Sequence, residues 1–267
     1  MKNILITGTS SGFGKVMAEH LSAQGFQVVG TSRNPTKTNT AFPTIKLDVN
    51  DPDSVKQAVA EFIVLRGNID VLVNNAGYGI SGAIENTTIE EAKAQFDTNF
   101  FGVVRMTQAV LPLMRQQQNG MVLNIASMGG LIGLPFQGFY SASKFALEGF
   151  VEALRMEVHP YNIKVMNINP GDYKTSFTAN RMVVQNVSET YRTQFEKTLK
   201  IYERDEENGA NSKEVALLVE KLIRKKKGHK IRYLVGDFMQ VFGAYVKRFV
   251  GSRVFEKIMM DTYVGGK

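Results

Sequence analysis

Tyr140 and Lys144 stand four positions apart in a stretch whose apolar spacing predicts a helix, so both side chains share one face. Such a pair can move a proton. A phenol near its reference pKa of ~10 is a poor base at neutral pH. A neighbouring ammonium stabilises the phenolate and is expected to lower that value. Tyr140 would then give a proton to a carbonyl oxygen or take one from an alcohol, a contribution typically worth ~10²–10⁴-fold. Ser127 follows an apolar run and is placed to hydrogen-bond the same substrate oxygen and hold it. Ser127 and Tyr140 are therefore the expected substrate contacts. Tyr-x-x-x-Lys is frequent by chance, and its weight here comes from what stands upstream.

Upstream is a turn rich in glycine. Gly8, Gly12 and Gly14 lie between a strand expected over residues 3–7 and a helix expected over 12–24, with Ser10, Ser11 and Phe13 in the same turn. Glycines let the backbone approach a pyrophosphate, and the helix start offers free N–H groups and partial positive charge. The spacing is not G-x-G-x-x-G, so that fingerprint does not apply as written. The second strand ends in Thr31-Ser32-Arg33. A carboxylate there would accept from a ribose 2′-OH, whereas Arg33 and Ser32 suit a 2′-phosphate. NADP(H) is thus preferred as cofactor, with NAD(H) the alternative. Asp48 and Val49, after the third strand, would line the adenine end. Asn75, Ala76 and Gly77 follow the fourth. An Asn side chain there can tie strands and loops together, and Gly77 admits a flat ligand.

Taken in order, these residues resemble the short-chain dehydrogenase/reductase family over roughly residues 2–175. Thr7-Gly8-x-x-x-Gly12-x-Gly14 is similar to that family's cofactor turn, and Asn74-Asn75-Ala76-Gly77 to its second signature. The resemblance implies a catalytic tetrad of Asn99, Ser127, Tyr140 and Lys144, with Asn99 holding a proton-relay water beside the lysine. It implies that Tyr140 and Lys144 also touch the cofactor. It places Pro170, Gly171 and Thr175 in the loop over the nicotinamide carboxamide. Asp172-Tyr173 departs from the small or apolar pair usual after Pro-Gly.

The elements that must position these residues alternate. Strands are expected at 3–7, 27–31, 44–48, 69–74, 121–126, 163–168 and 231–235. Helices are expected at 12–24, from Asp51-Pro52, after the Thr88-x-x-Glu91 capping box, and at 98–117, 140–158 and 211–226. Such alternation predicts an α/β class: a Rossmann-like, doubly wound parallel sheet of about seven strands with helices on both faces, in a single domain over 1–267. Residues 175–211 are the least regular part and read as a substrate lid or surface insertion. Phe177, Met182 and Tyr78 are the expected pocket walls. Residues 237–267 read as a C-terminal helical tail, with Phe238, Phe242, Tyr245 and Phe249 on one stripe. That stripe is expected to be core or interface, and a membrane-surface helix is the competing reading.

Composition narrows the function. There are no cysteines, and the three histidines are scattered, so no metal site is expected. The net charge of +7 owes much to Arg224-Lys225-Lys226-Lys227. A run of this kind usually complements a helix end, so no nucleic-acid partner is expected. The uncharged stretch 116–143 is broken by glycines and Pro135, which excludes an integral membrane span there. A cytoplasmic protein is expected. The apolar width of the helices from Thr98 and Tyr140 exceeds one face, which points to a homodimer or homotetramer. The reading is an NADP(H)-dependent oxidoreductase that transfers a hydride between nicotinamide and a small-molecule carbonyl or alcohol. Its tail, with Ile231-Arg232-Tyr233-Leu234-Val235-Gly236 leading into it, resembles that of steroid- and retinoid-type members of the family, and the resemblance implies a lipophilic substrate, a ketone, aldehyde, steroid or retinoid. The competing reading is a redox sensor that binds NADP(H) without turnover.

Overall fold

Strands without polar alternation need covers on both faces, and the rest of the chain supplies them. The computed structural model describes residues 1–35 and 41–265. Seven parallel strands form the sheet: β1 (Asn3–Ile6), β2 (Gln27–Ser32), β3 (Thr44–Lys46), β4 (Val71–Asn74), β5 (Gly120–Ile125), β6 (Ile163–Pro170) and β7 (Arg232–Val235). Their order across the sheet is β7-β6-β5-β4-β1-β2-β3. The order reverses at β1, which opens a crevice at the carboxyl ends of β1 and β4.

Period-two alternation divides the core. Ile4 and Ile6 face α1 (Gly12–Ala23) and α7 (Lys213–Arg224), meeting Met17, Leu21, Val215, Val219 and Leu222. Leu5 and Leu72 face the other way, into Phe62 of α2 (Pro52–Arg66), Met106 and Val110 of α4 (Gly102–Gln116), and Val151 and Leu154 of α5 (Gly138–Glu157). The sheet also carries a polar ladder. Asn74 Nδ2 donates to Asn124 Oδ1 at 2.9 Å, and Asn124 Nδ2 donates to Asn167 Oδ1 at 3.2 Å. Three neighbouring strands are thereby tied in one register.

The caps read from the sequence are present. Asp51 accepts from Asp53 N with Pro52 at the first helical position, and Thr88 and Glu91 close a capping box at α3 (Ile89–Phe96). The helix expected at 98–117 instead begins with a π turn over Asp97–Phe101, continuous with α3 and α4.

Two expectations are corrected. Residues 175–211 are not irregular throughout, because α6 (Glu189–Glu207) fills most of them. Its sequence is strongly polar, and its buried side is a narrow line of Phe195, Thr198, Tyr202 and Glu206. The aromatic stripe of the tail is not core within one chain. Phe238, Phe242, Tyr245 and Phe249 are 74, 52, 54 and 83% exposed, because α8 (Phe238–Val246) turns Gln240 and Gly243 inward instead. After α8 comes α9 (Ser252–Met259), and the last two tail residues lie outside those described. Among the described residues no helix is long and apolar enough to cross a membrane. Part of the basic run is engaged locally: Arg224 stacks on the Phe26 ring and donates to Glu220 Oε1 at 2.7 Å.

Candidate active site

The carboxyl ends of the strands open into one cavity of about 1100 Å³. At one end it is walled by Gly8, Ser10, Ser11, Gly12 and Phe13 of the first turn, then by Ser32, Arg33, Asp48 and Val49. Asn75, Ala76, Gly77, Pro170, Gly171 and Thr175 line its middle, with Ser127, Tyr140 and Lys144. Tyr78, Phe177 and Met182 stand on its wall as expected. Gly14 and Asn99, also singled out in the sequence, do not line it; both support it from behind.

The first turn is built for close approach. Gly8 and Gly12 have φ of +70° and +55°, a region that favours glycine. Asn75 Nδ2 donates to both Thr7 O and Gly8 O at 2.9 Å, pinning the turn to the end of β4. A Cβ at Gly14 would overlap Gly8 O and Asn75 Nδ2. Gly14→Ala should therefore cost about 1–3 kcal/mol of stability through overpacking and weaken dinucleotide binding as the turn shifts. Denaturant midpoints and a fluorescence titration with NADPH measure both, and an unchanged midpoint would refute the packing argument.

Asn99 is 1% exposed, within the π turn. Tyr78 N donates to its Oδ1 at 3.1 Å, and its Nδ2 donates to Tyr78 O at 2.9 Å and Ser143 Oγ at 3.3 Å. A π turn breaks the regular helical register, and such turns recur at functional sites. Here it aims one amide at the loop after β4 and at α5.

Tyr140 and Lys144 are buried on α5, on one face as their spacing demands. Lys144 Nζ donates to Ile125 O at 2.9 Å and lies 5.9 Å from the Tyr140 ring centroid. Ser127 sits at the mouth of β5, where its Oγ accepts from Gly129 N at 3.0 Å. The expected lowering of the phenol pKa does not occur in the protein alone. Burial pushes Tyr140 up to about 12, against a hydrogen bond with Ser127 that pulls it back. Burial pushes Lys144 down to about 8, opposed by the Glu148 carboxylate. At neutral pH the phenol holds its proton and the lysine is mostly an ammonium, a pair set to donate rather than accept.

The unusual Asp172-Tyr173 pair has a packing account. Tyr173 is 3% exposed and meets the Phe13 ring edge-on at 5.2 Å, and its hydroxyl donates to Glu214 Oε2 at 3.2 Å. It locks the loop after β6 against the first turn.

The cavity also holds residues that the sequence reading gave no site role: Asp172, Tyr202, Glu206, Gln240, Phe255 and Ile258 among them. The spacing of Phe195, Thr198, Tyr202 and Glu206 is a helical signal that would have found α6. For α9 the signal is Phe255 and Met259 at a four-residue step. For Asp172 the signal is its departure, with Tyr173, from the small or apolar pair usual after Pro170-Gly171.

A family model described as short chain dehydrogenase matches residues 2–185. The chain belongs to that family. Among curated relatives of this short-chain dehydrogenase, the 3-ketodihydrosphingosine reductase of Bacteroides thetaiotaomicron is 46% identical over 262 residues, 97% of each chain. Among solved structures, a short-chain dehydrogenase from Streptomyces avermitilis superposes with a TM-score of 0.82 at 30% identity, over 98% of this chain and 100% of that one. The seven-stranded Rossmann-like sheet is that of the family. The chain is thus an oxidoreductase acting on a C–OH or C=O group.

Proposed function

We propose that this short-chain dehydrogenase reduces a lipophilic ketone with NADPH, and that the ketone is a long-chain one of the 3-ketodihydrosphingosine type. One observation carries the reading: a single cavity runs from Arg33, past Tyr140, Ser127 and Lys144, to apolar walls of Phe177, Met239, Phe255 and Ile258. Its volume of about 1100 Å³ lies just above the usual range for ligand sites, ~300–1,000 Å³. The 46% relative adds weight to the long-chain substrate.

The residues at the first turn fit a dinucleotide, since Gly8 and Gly12 hold positive φ there and line the cavity at the start of α1. Gly8, Ser10, Ser11, Gly12 and Phe13 would hold the pyrophosphate, Ser32 and Arg33 a 2′-phosphate, and Asp48 and Val49 the adenine. Asn75, Ala76, Gly77, Pro170, Gly171 and Thr175 would hold the nicotinamide half. When bound, NADPH supplies the hydride. The chain's own residues do the rest. Ser127 holds the carbonyl oxygen, and Tyr140 gives it a proton from a phenol kept neutral by burial. Lys144 places a cation beside the phenol, and Asn99 fixes Tyr78 and α5 around them.

We also propose a cytoplasmic homodimer or homotetramer joined through α4 and α5. Phe101 and Phe145 are 48 and 41% exposed there, and Ile89, Phe96, Phe101 and Phe139 bound an apolar hollow. Residues 175–211 would act as the lid, with α6 as its rigid part.

The test is loss of NADPH absorbance in the presence of 3-ketodihydrosphingosine, with NADH in parallel. Ketone-dependent consumption of NADPH is expected, faster than with NADH at equal concentration. Absence of turnover with this and other lipophilic ketones would refute the reading.

A further inference from the structure

The substrate end of the cavity mixes apolar walls at Phe177, Met239, Phe255 and Ile258 with polar groups, and its carboxylates lie at one pole. There Asp172 and Glu206 reach the wall, beside Gln240 and Tyr202. The two carboxylates differ. Glu206 is neutralised from behind: Arg181, whose side chain is 3% exposed, pairs with it, and Thr178 Oγ1 donates to it. Asp172 has no ion-pair partner among the described residues. The amide of Gln240 holds it, with Asp172 N donating to Gln240 Oε1 at 3.0 Å and Gln240 Nε2 donating to Asp172 Oδ2. Gly171 makes that clamp possible, since a Cβ there would overlap Gln240 Oε1.

An uncompensated carboxylate beside apolar walls is costly. Burial, with Glu206 and Asp205 nearby, pushes the Asp172 carboxyl up to about 6, against the Gln240 hydrogen bond and the more distant Arg181 charge that pull it down. The Tyr140 phenol feels the charges of Asp172, Glu206 and Arg181, which places this pole within electrostatic reach of the reacting group. A ligand that brought a cation to the pole would remove the cost. One that brought an anion, such as a phosphate-bearing carrier, would add to it.

Resting on the proposed reduction of a long-chain ketone, we propose that Asp172 is a specificity residue that anchors a protonated amino group carried near the reacting carbonyl. Gln240 positions its carboxylate, whereas Glu206 is already paired with Arg181. 3-Ketodihydrosphingosine, a 2-amino-3-ketone, carries such a group on the carbon next to the carbonyl. An amine there leaves the carbonyl oxygen free for Ser127 and Tyr140.

The experiment compares dihydrosphingosine with its N-acetyl derivative, which lacks the charge, for binding to the NADP⁺-loaded protein below their micellar concentrations at neutral pH. The amine should bind at least about tenfold tighter. Asp172→Asn preserves shape and the bond to Gln240, and should collapse the preference to near unity. Equal affinities for amine and amide in the unmodified protein would overturn the anchor, as would an Asp172→Asn variant that keeps the preference. Turnover separates the two readings. An amine preference without reduction of 3-ketodihydrosphingosine would leave the anchor standing and sink the proposed reaction. Reduction of that ketone without an amine preference would do the reverse.

Discussion

Tyr140→Phe should lower kcat for ketone reduction by about 10³–10⁴-fold, the upper part of the range for losing a positioned proton donor. The argument rests on what the hydroxyl alone provides. The ring packs against Phe177, with centroids 5.7 Å apart, and phenylalanine keeps that contact. What goes is the one acidic proton that burial holds on the phenol at neutral pH and that Ser127 orients. Ser127 is a far weaker acid, so it cannot replace the donor. The KM for NADPH should change by no more than about threefold, since the first turn and Arg33 lie at the other end of the cavity. Steady-state kinetics with a fixed ketone gives both numbers. A variant with near-normal kcat would show that the proton comes from elsewhere.

Arg33→Asp should reverse the cofactor preference. A charge-assisted hydrogen bond is worth about 1.5–3 kcal/mol, or roughly 10–150-fold in affinity. The substitution removes that bond and sets a carboxylate against the 2′-phosphate. The new carboxylate can also accept from the 2′-OH of NADH. The ratio of kcat/KM for NADPH over NADH should fall by about 10²-fold or more. Arg33 is exposed, so the change should leave the thermal midpoint alone. An unchanged ratio would mean that the 2′-phosphate is read by other groups or not at all.

The first two-thirds of the chain was largely legible in its sequence, for a physical reason. Strands buried on both faces leave apolar runs, the turns between them demand glycine, and a proton-transfer pair on a helix must sit at a fixed step. Hence Gly8, Gly12, Asn75, Ser127, Tyr140 and Lys144 are legible from residue type and order alone, and they line one crevice. Cap chemistry is equally local, and Asp51-Pro52 and Thr88-x-x-Glu91 stood where they were read. The rest obeyed no such code. The π turn at Asp97–Phe101 inserts a wider turn into a helix whose residues look ordinary. Residues 189–207 are so polar that their helical period shows only in four buried positions. The face that the tail turns inward is set by the cavity and not by the tail's own pattern, so its aromatic stripe is not core within one chain. The phenol pKa went the wrong way because sequence spacing reveals a neighbour's charge but not the depth of burial that opposes it.

The pairing of α1 with α7 has a consequence for how the molecule is made. Met17 and Leu21 share one buried cluster with Val215, Val219 and Leu222. Translation delivers the first pair long before the second. Until α7 leaves the ribosome, one face of the growing sheet stays open to water with Ile4, Ile6, Val71 and Val73 on it. Contacts so distant in sequence are slow to form, and exposed β surface of this kind is prone to stick to other chains. A nascent chain that has not yet delivered α7 is thus expected to bind chaperones or other chains through this face.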